Sequence, residues 1–173
     1  MDVARGADKV WAAPVTEEEL DPKIEALNLR GFARRGAYAL KAKHPTVVFT
    51  SGRRDASDQA RAMSLNVCWN RKWIEQTYRP TPVSAACQRW VDAHPAVVAP
   101  AHFEAGFLGI FAEIGDAELS KLSKHLTGDA FDIRPVYHSK AQAIKDTIRG
   151  LAGLDKFLDR EGGMVIWHAQ FHT

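Results

Sequence analysis

The apolar positions of the chain recur with two different periods, and each period predicts an element. Over residues 22–43, Ile24, Leu27, Phe32, Tyr38 and Leu40 fall near helical spacing, with Gly31 and Gly36 as weak points and Pro45 as the stop. Thr46-Val47-Val48-Phe49-Thr50 is a β-branched apolar run closed by Ser51-Gly52, the pattern of a buried strand. Residues 55–115 read as interrupted helices, over 57–67, 69–78, 83–93 and 102–114. The last of these carries Phe103, Phe107, Leu108, Ile110 and Phe111 nearly all round its girth, which predicts a buried helix. Ala130-Phe131-Asp132-Ile133 reads as a short strand stopped by Pro135. Ser139 is expected to cap a long helix running through Ala141, Ile144, Ile148, Leu151 and Leu158, ended by Gly162-Gly163. Residues 164–171 supply the last strand. The expected architecture is α+β: a small, antiparallel sheet flanked by helices, in one domain over 1–173 with a helical insertion at about 55–115.

Composition narrows the class. With 173 residues, 46% of them apolar, five Trp and eight Phe, the chain is long and apolar enough to bury a core without staples. Basic and acidic residues nearly balance, 23 against 21, and no Lys/Arg stripe interleaves with aromatics. Arg34-Arg35 and Arg53-Arg54 are too short for one, so no nucleic-acid partner is expected. A net charge of +2 still suits the approach to an anionic polymer such as a bacterial cell wall. No window holds 18 uninterrupted apolar residues, so no membrane span is expected. Residues 1–20 lack an apolar core of signal-peptide length, which makes the cytoplasm the expected compartment on synthesis. Cys68 and Cys87 have no CxxC spacing, and structural thiols are favoured over a disulfide between them.

The segment that carries chemistry is Ser123-Lys124-His125-Leu126-Thr127-Gly128-Asp129-Ala130-Phe131-Asp132. His125 and Asp132 straddle a glycine turn that leads into a strand, and imidazole and carboxylate are both good zinc ligands. Gly128 permits the reversal between them, and Ala130 leaves room beside a metal. The complete pattern SxHxxGxAxD resembles the signature of the zinc D-Ala-D-Ala carboxypeptidases and dipeptidases. That family includes the vancomycin-resistance peptidases and phage L-alanyl-D-glutamate endolysins, and it is related in fold to the hedgehog signalling domain. Ile133-Arg134-Pro135 is similar to the family's continuation of the motif.

A second stretch, Val48-Phe49-Thr50-Ser51-Gly52-Arg53-Arg54 followed by Gln59, resembles the family's Ser-Gly-aromatic-Arg strand end, with Arg53 in place of the aromatic. The resemblance implies that Arg54 binds substrate and steadies charge on the tetrahedral intermediate, leaving the metal to other residues. It implies a substrate-side role for Ser123 as well. The third zinc ligand is expected from Trp167-His168-Ala169-Gln170, with His168 favoured and His172, on the same strand face, as the runner-up. The family's catalytic acid stands three positions before this His, where the present chain has Val165. The nearest other acids are Asp159, expected on the preceding helix, and Glu161, which a Gly162-Gly163 turn would bring back toward the metal as general base. His44, His94, His102 and His138 have no partner at ligand spacing, and Trp69, Trp73, Tyr78 and Trp90 read as helix packing, or as one wall of a groove.

The resemblance therefore implies a zinc metallopeptidase that hydrolyses peptidoglycan stem peptides, of the phage or prophage endolysin type. It would act at the bacterial cell wall after release, as a monomer. The alternative is a module that keeps Zn2+ and binds cell wall or protein without cutting it.

Overall fold

The computed structural model describes residues 20–173, so nearly all of the N-terminal stretch read above for targeting signals lies outside the described residues. The helix expected over 22–43 is two helices, α1 (Pro22–Glu25) and α2 (Gly31–Lys43). Asp21 caps the first by accepting from the Lys23 N–H. Asn28 and Gly31 then take φ of 50° and 51°, left-handed values that break a continuous helix and let α2 start afresh at Gly31. The break turns the Leu27 carbonyl outward, where it accepts from the Arg53 N–H at 2.8 Å. Gly52 passes so close that a Cβ there would lie 2.3 Å from that same oxygen. The loop that carries Arg54 is thus seated on the α1–α2 break.

The first strand, β1 (Phe49–Ser51), begins later than the apolar run suggested. Val47 is already buried in the core ahead of it, and Val48 is exposed while its carbonyl accepts from the Arg134 N–H. Five helices follow: α3 (Ala56–Trp69), α4 (Trp73–Thr77), α5 (Pro82–Ala93), α6 (Pro100–Ile114) and α7 (Asp116–Leu119). Asp55 caps α3, and Thr81 and Ser84 cap α5 reciprocally. The expected insertion is therefore helical throughout its elements, but α6 is not buried on every side. It buries the stripe Phe103, Phe107 and Phe111, while Ala101, Ala105, Gly109 and Ala112 face solvent. Those outward residues are too small for their exposure to cost much, which is why a helix rich in apolar letters can be one-sided.

After α8 (Lys124–Thr127) come β2 (Ala130–Ile133), α9 (Ala141–Arg149), β3 (Leu154–Leu158) and β4 (Trp167–Phe171). The four strands form one antiparallel sheet in the order β1-β2-β4-β3, as the α+β reading expected. The long helix expected after Ser139 is a correction. Its N-cap is Lys140 with no side-chain bond, it ends at Arg149, and the chain returns as β3. Leu151 and Leu158 are a helical seven apart by coincidence, and the deciding residues are glycines. Gly153 has φ 72°, and a Cβ on it would sit 2.2 Å from the Phe32 ring. Gly162 and Gly163 likewise close no helix. They are the two central residues of a tight turn with φ of 52° and 85°, and Glu161 and Met164 on either side exchange two backbone hydrogen bonds of 3.0 and 2.9 Å.

Apolar residues gather in two clusters. One lies between a face of the sheet and α2 and α9, with Leu40, Phe131, Ile148, Trp167 and Phe171. The other is the interior of the helical insertion, with Met63, Ile74, Val91, Phe103 and Phe107. Cys68 is exposed and Cys87 buried, both free, so no disulfide joins them. No helix among the described residues is long and apolar enough to cross a membrane.

Candidate metal centre

Alternation along the strands sends Phe131, Ile133, Trp167, Ala169 and Phe171 into the first cluster, leaving Asp132, His168 and Gln170 on the opposite face. Antiparallel register sets Asp132 directly beside His168. His125 arrives from α8, whose N-cap Ser123 accepts from the His125 N–H and whose C-cap Gly128 adopts φ 80°. That left-handed residue turns the chain straight into β2, as the glycine in the motif implied.

The three side chains converge. Asp132 Oδ1 is 2.8 Å from His168 Nδ1 and 3.2 Å from His125 Nε2, and the two ring nitrogens are 3.3 Å apart. Ligands of a tetrahedral zinc at roughly 2.0–2.2 Å stand about 3.3 Å from one another, so the three atoms fit a single small cation. They are the group of metal-ligating side chains found among the described residues. The other ring positions are occupied in a way that frees the right nitrogens. His125 Nδ1 lies 2.7 Å from the Gly52 carbonyl and donates to it, leaving Nε2 as a lone pair. His168 Nε2 faces Gln170 Oε1 at 3.4 Å, leaving Nδ1 toward Asp132, and the Gln170 amide donates onward to Asp155 at 2.6 Å. His172, the runner-up ligand, is exposed and lies 4.0 Å from Asp155, away from this cluster.

Charges in the centre balance unequally. Burial lowers the pKa of His125 despite Asp132 beside it. Burial also opposes a charge on His168, but the Asp132 carboxylate outweighs it and raises that pKa. Burial alone would raise Asp132, yet His125 and His168 hold it well below the usual carboxylate range.

Arg54 is more tightly engaged than the sequence implied. Its guanidinium donates to Asp132 Oδ2 at 2.8 Å, to Ser51 Oγ at 2.9 Å and to Gln59 Oε1 at 3.5 Å. Gln59 in turn donates to the buried Tyr78 hydroxyl at 2.7 Å. Arg54 therefore touches a member of the candidate metal-binding cluster, and it still lines a cavity of about 620 Å³ together with Ser123, His125, Asp132, His168 and Glu161. The Gly162-Gly163 turn does bring Glu161 back to this cavity. Burial raises its carboxyl pKa, His168 opposes that, and Asp132 adds to it. Asp159 is not on a helix; it follows β3 and pairs with Lys145 at 2.7 Å. Val165 is exposed and outside the cavity lining.

Several lining residues were missed. Asp155, Lys156 and Leu158 belong to β3, hidden by the helical reading, and the glycines at 150 and 153 were the signal for it. Trp73, Thr77 and Tyr78 form one wall, the groove reading given to the aromatics, whereas Trp90 packs on Phe103 and Phe107. His44 and His94 are helix C-caps, in keeping with their assignment to helix ends. Comparison with protein-family models, curated proteins and solved structures found no match to this chain.

Proposed function

We propose that the chain is a zinc peptidase that hydrolyses peptidoglycan stem peptides, with Zn2+ held by His125, Asp132 and His168. The observation that carries the reading is the convergence of three ligand atoms 2.8–3.3 Å apart on a cavity that also holds an arginine and a carboxylic acid. A zinc ion bound there supplies a Lewis acid and lowers the pKa of its water toward neutrality. Arg54 pairs with Asp132 and directs its carboxylate, and the guanidinium lies within the cavity for charge that develops on a substrate carbonyl. Glu161, in the family's missing acid role, takes a proton from the attacking water and delivers it to the leaving amine. The raised pKa of this acid suits both halves of that exchange.

Support for the substrate class comes from the SxHxxGxAxD motif and from the cavity rim. Arg79, Lys121, Lys124 and Lys156 stand around it, favouring a ligand with free carboxylates such as a stem peptide. An endolysin-type enzyme, made in the cytoplasm and reaching the wall after release, accords with that chemistry. The deciding measurement is lysis of purified cell walls with and without chelator. Activity abolished by the chelator and restored by zinc is expected; walls left intact by zinc-loaded protein would sink the reading. The exposed Val165, aliphatic at the position of the family's acid, favours the second reading, a zinc-retaining binding module. Zinc-loaded protein that sediments with walls but releases no peptide would establish that module instead.

A further inference from the structure

Glu161 lines the cavity of the candidate metal site from beside a two-residue turn, and an isolated turn of this kind is only marginally stable by itself. What packs on it comes from the helical insertion. Asn70, between α3 and α4, donates its side-chain amide to the Gly162 carbonyl at 3.1 Å. Trp73, the first residue of α4, lies flush against Gly162, where a Cβ would be 2.1 Å from the indole Cδ1. Trp69, near the end of α3, approaches Gly163 to within 3.7 Å of its Cβ position.

The clamp is itself anchored to the metal centre. Asn70 is fixed by donating to Gln76 at 2.8 Å and accepting from the Lys72 N–H at 3.0 Å. The Trp73 ring meets the Tyr78 ring edge-on at 5.3 Å, and Tyr78 leads through Gln59 and Arg54 to Asp132. Asp132, Arg54, Gln59, Tyr78, Trp73 and the glycine turn thus form a continuous chain of contacts that runs from the candidate metal site to the turn carrying Glu161. The Trp73 indole N–H is buried and has no acceptor among the described residues, so packing within them sets the ring.

We propose that the helical insertion is the device that positions Glu161, with Asn70 and Trp73 as positioning residues that hold its turn over the metal site. The inference rests on the peptidase reading above and explains how the chain manages with valine at position 165. It also gives the insertion a purpose at the site beyond forming a wall. A misplacement of about 1 Å at a proton-transfer group costs roughly a hundredfold in rate, so a clamp of this kind has a measurable effect.

The test uses the full chain loaded with cobalt(II), whose visible absorption is titrated with pH, alongside turnover of stem peptide by the zinc form. Glu161→Gln is expected to shift the cobalt titration and to lower kcat by about a hundredfold or more. Asn70→Ala is expected to shift the titration in the same direction and to lower kcat roughly tenfold to a hundredfold at nearly unchanged KM. It should do so while retaining metal content and with a melting temperature lowered by no more than the loss of a capping side chain, whereas a merely structural role would lower stability and leave the cobalt titration unmoved. Gly162→Ala should behave likewise where it folds. An Asn70→Ala protein that titrates and turns over as wild type, beside a shifted Glu161→Gln, overturns the clamp alone. A Glu161→Gln protein indistinguishable from wild type overturns the clamp and the base together. Wild-type protein that takes up no metal refutes the peptidase reading instead.

Discussion

Asp132 has each of its oxygens committed, one to the two histidines and the other to Arg54. This makes the arginine part of the candidate metal centre as well as part of the cavity lining. Arg54→Ala should weaken zinc binding about tenfold to a hundredfold, the scale for losing a group that orients a ligand, as read by competition with a chelating dye. His125→Ala and Asp132→Ala should abolish stoichiometric zinc in the same assay; undiminished metal in either would remove the site. Protonation gives a second handle. In metal-free protein the raised pKa of His168 means its pairing with Asp132 stabilises the fold fully below the unfolded value of about 6.5. That contribution is lost as pH rises through the folded value, whereas zinc needs the neutral ring and binds better over the same rise. Melts at pH 5.5 and 8.5, with and without zinc, should therefore diverge in opposite directions. Glu161 predicts the acid limb of the rate profile: because burial raises its pKa, activity should fall at a pH above that of an ordinary glutamate. An acid limb retained unchanged in Glu161→Gln would assign it elsewhere.

At the scale of elements, glycines decide where periodicity alone misleads. Gly153 holds φ 72° against the Phe32 ring, so Gly153→Ala should cost at least about 1–2 kcal/mol from the left-handed backbone alone. Urea denaturation would measure it, and a loss below about half a kcal/mol would show that the β3 turn tolerates a side chain. The same residues explain which elements were legible in the sequence. The helices of the insertion and the strand with Asp132 were legible because their stripes and stops agree, as with the capped α5 and its terminal proline partner His94-Pro95. The convergence of His125 and Asp132 was legible because they and Gly128 lie within one short segment and need little tertiary context. β3 was not, since Leu151 and Leu158 imitate a helical repeat and only Gly150 and Gly153 contradict it. Nor was the Arg54–Asp132 pair, because it joins residues 78 positions apart through a fold that no local pattern encodes.

For the whole molecule, the candidate metal centre sits where its two apolar clusters meet. Its three converging side chains come from α8 and the sheet, while Arg54, Gln59 and Tyr78 carry the contact into the helical insertion. Leu126 and Met164, which flank His125 and the glycine turn in sequence, pack on the insertion's cluster as well. Zinc binding should therefore stabilise both clusters together. At free zinc about a hundredfold above Kd, mass action adds about 2.7 kcal/mol. For a chain of this size that corresponds to a rise in Tm of roughly 5–10 °C. The rise can be followed separately in each part. Trp167 reports the sheet cluster, and a Trp167→Phe variant leaves the described tryptophans 69, 73 and 90 to report the insertion. Both signals should move upward by the same amount and remain one transition. A zinc-induced shift confined to the sheet, with the insertion melting at its metal-free temperature, would show that the Arg54–Gln59–Tyr78 chain transmits no stability, and the insertion would then have to be held at the site by packing alone.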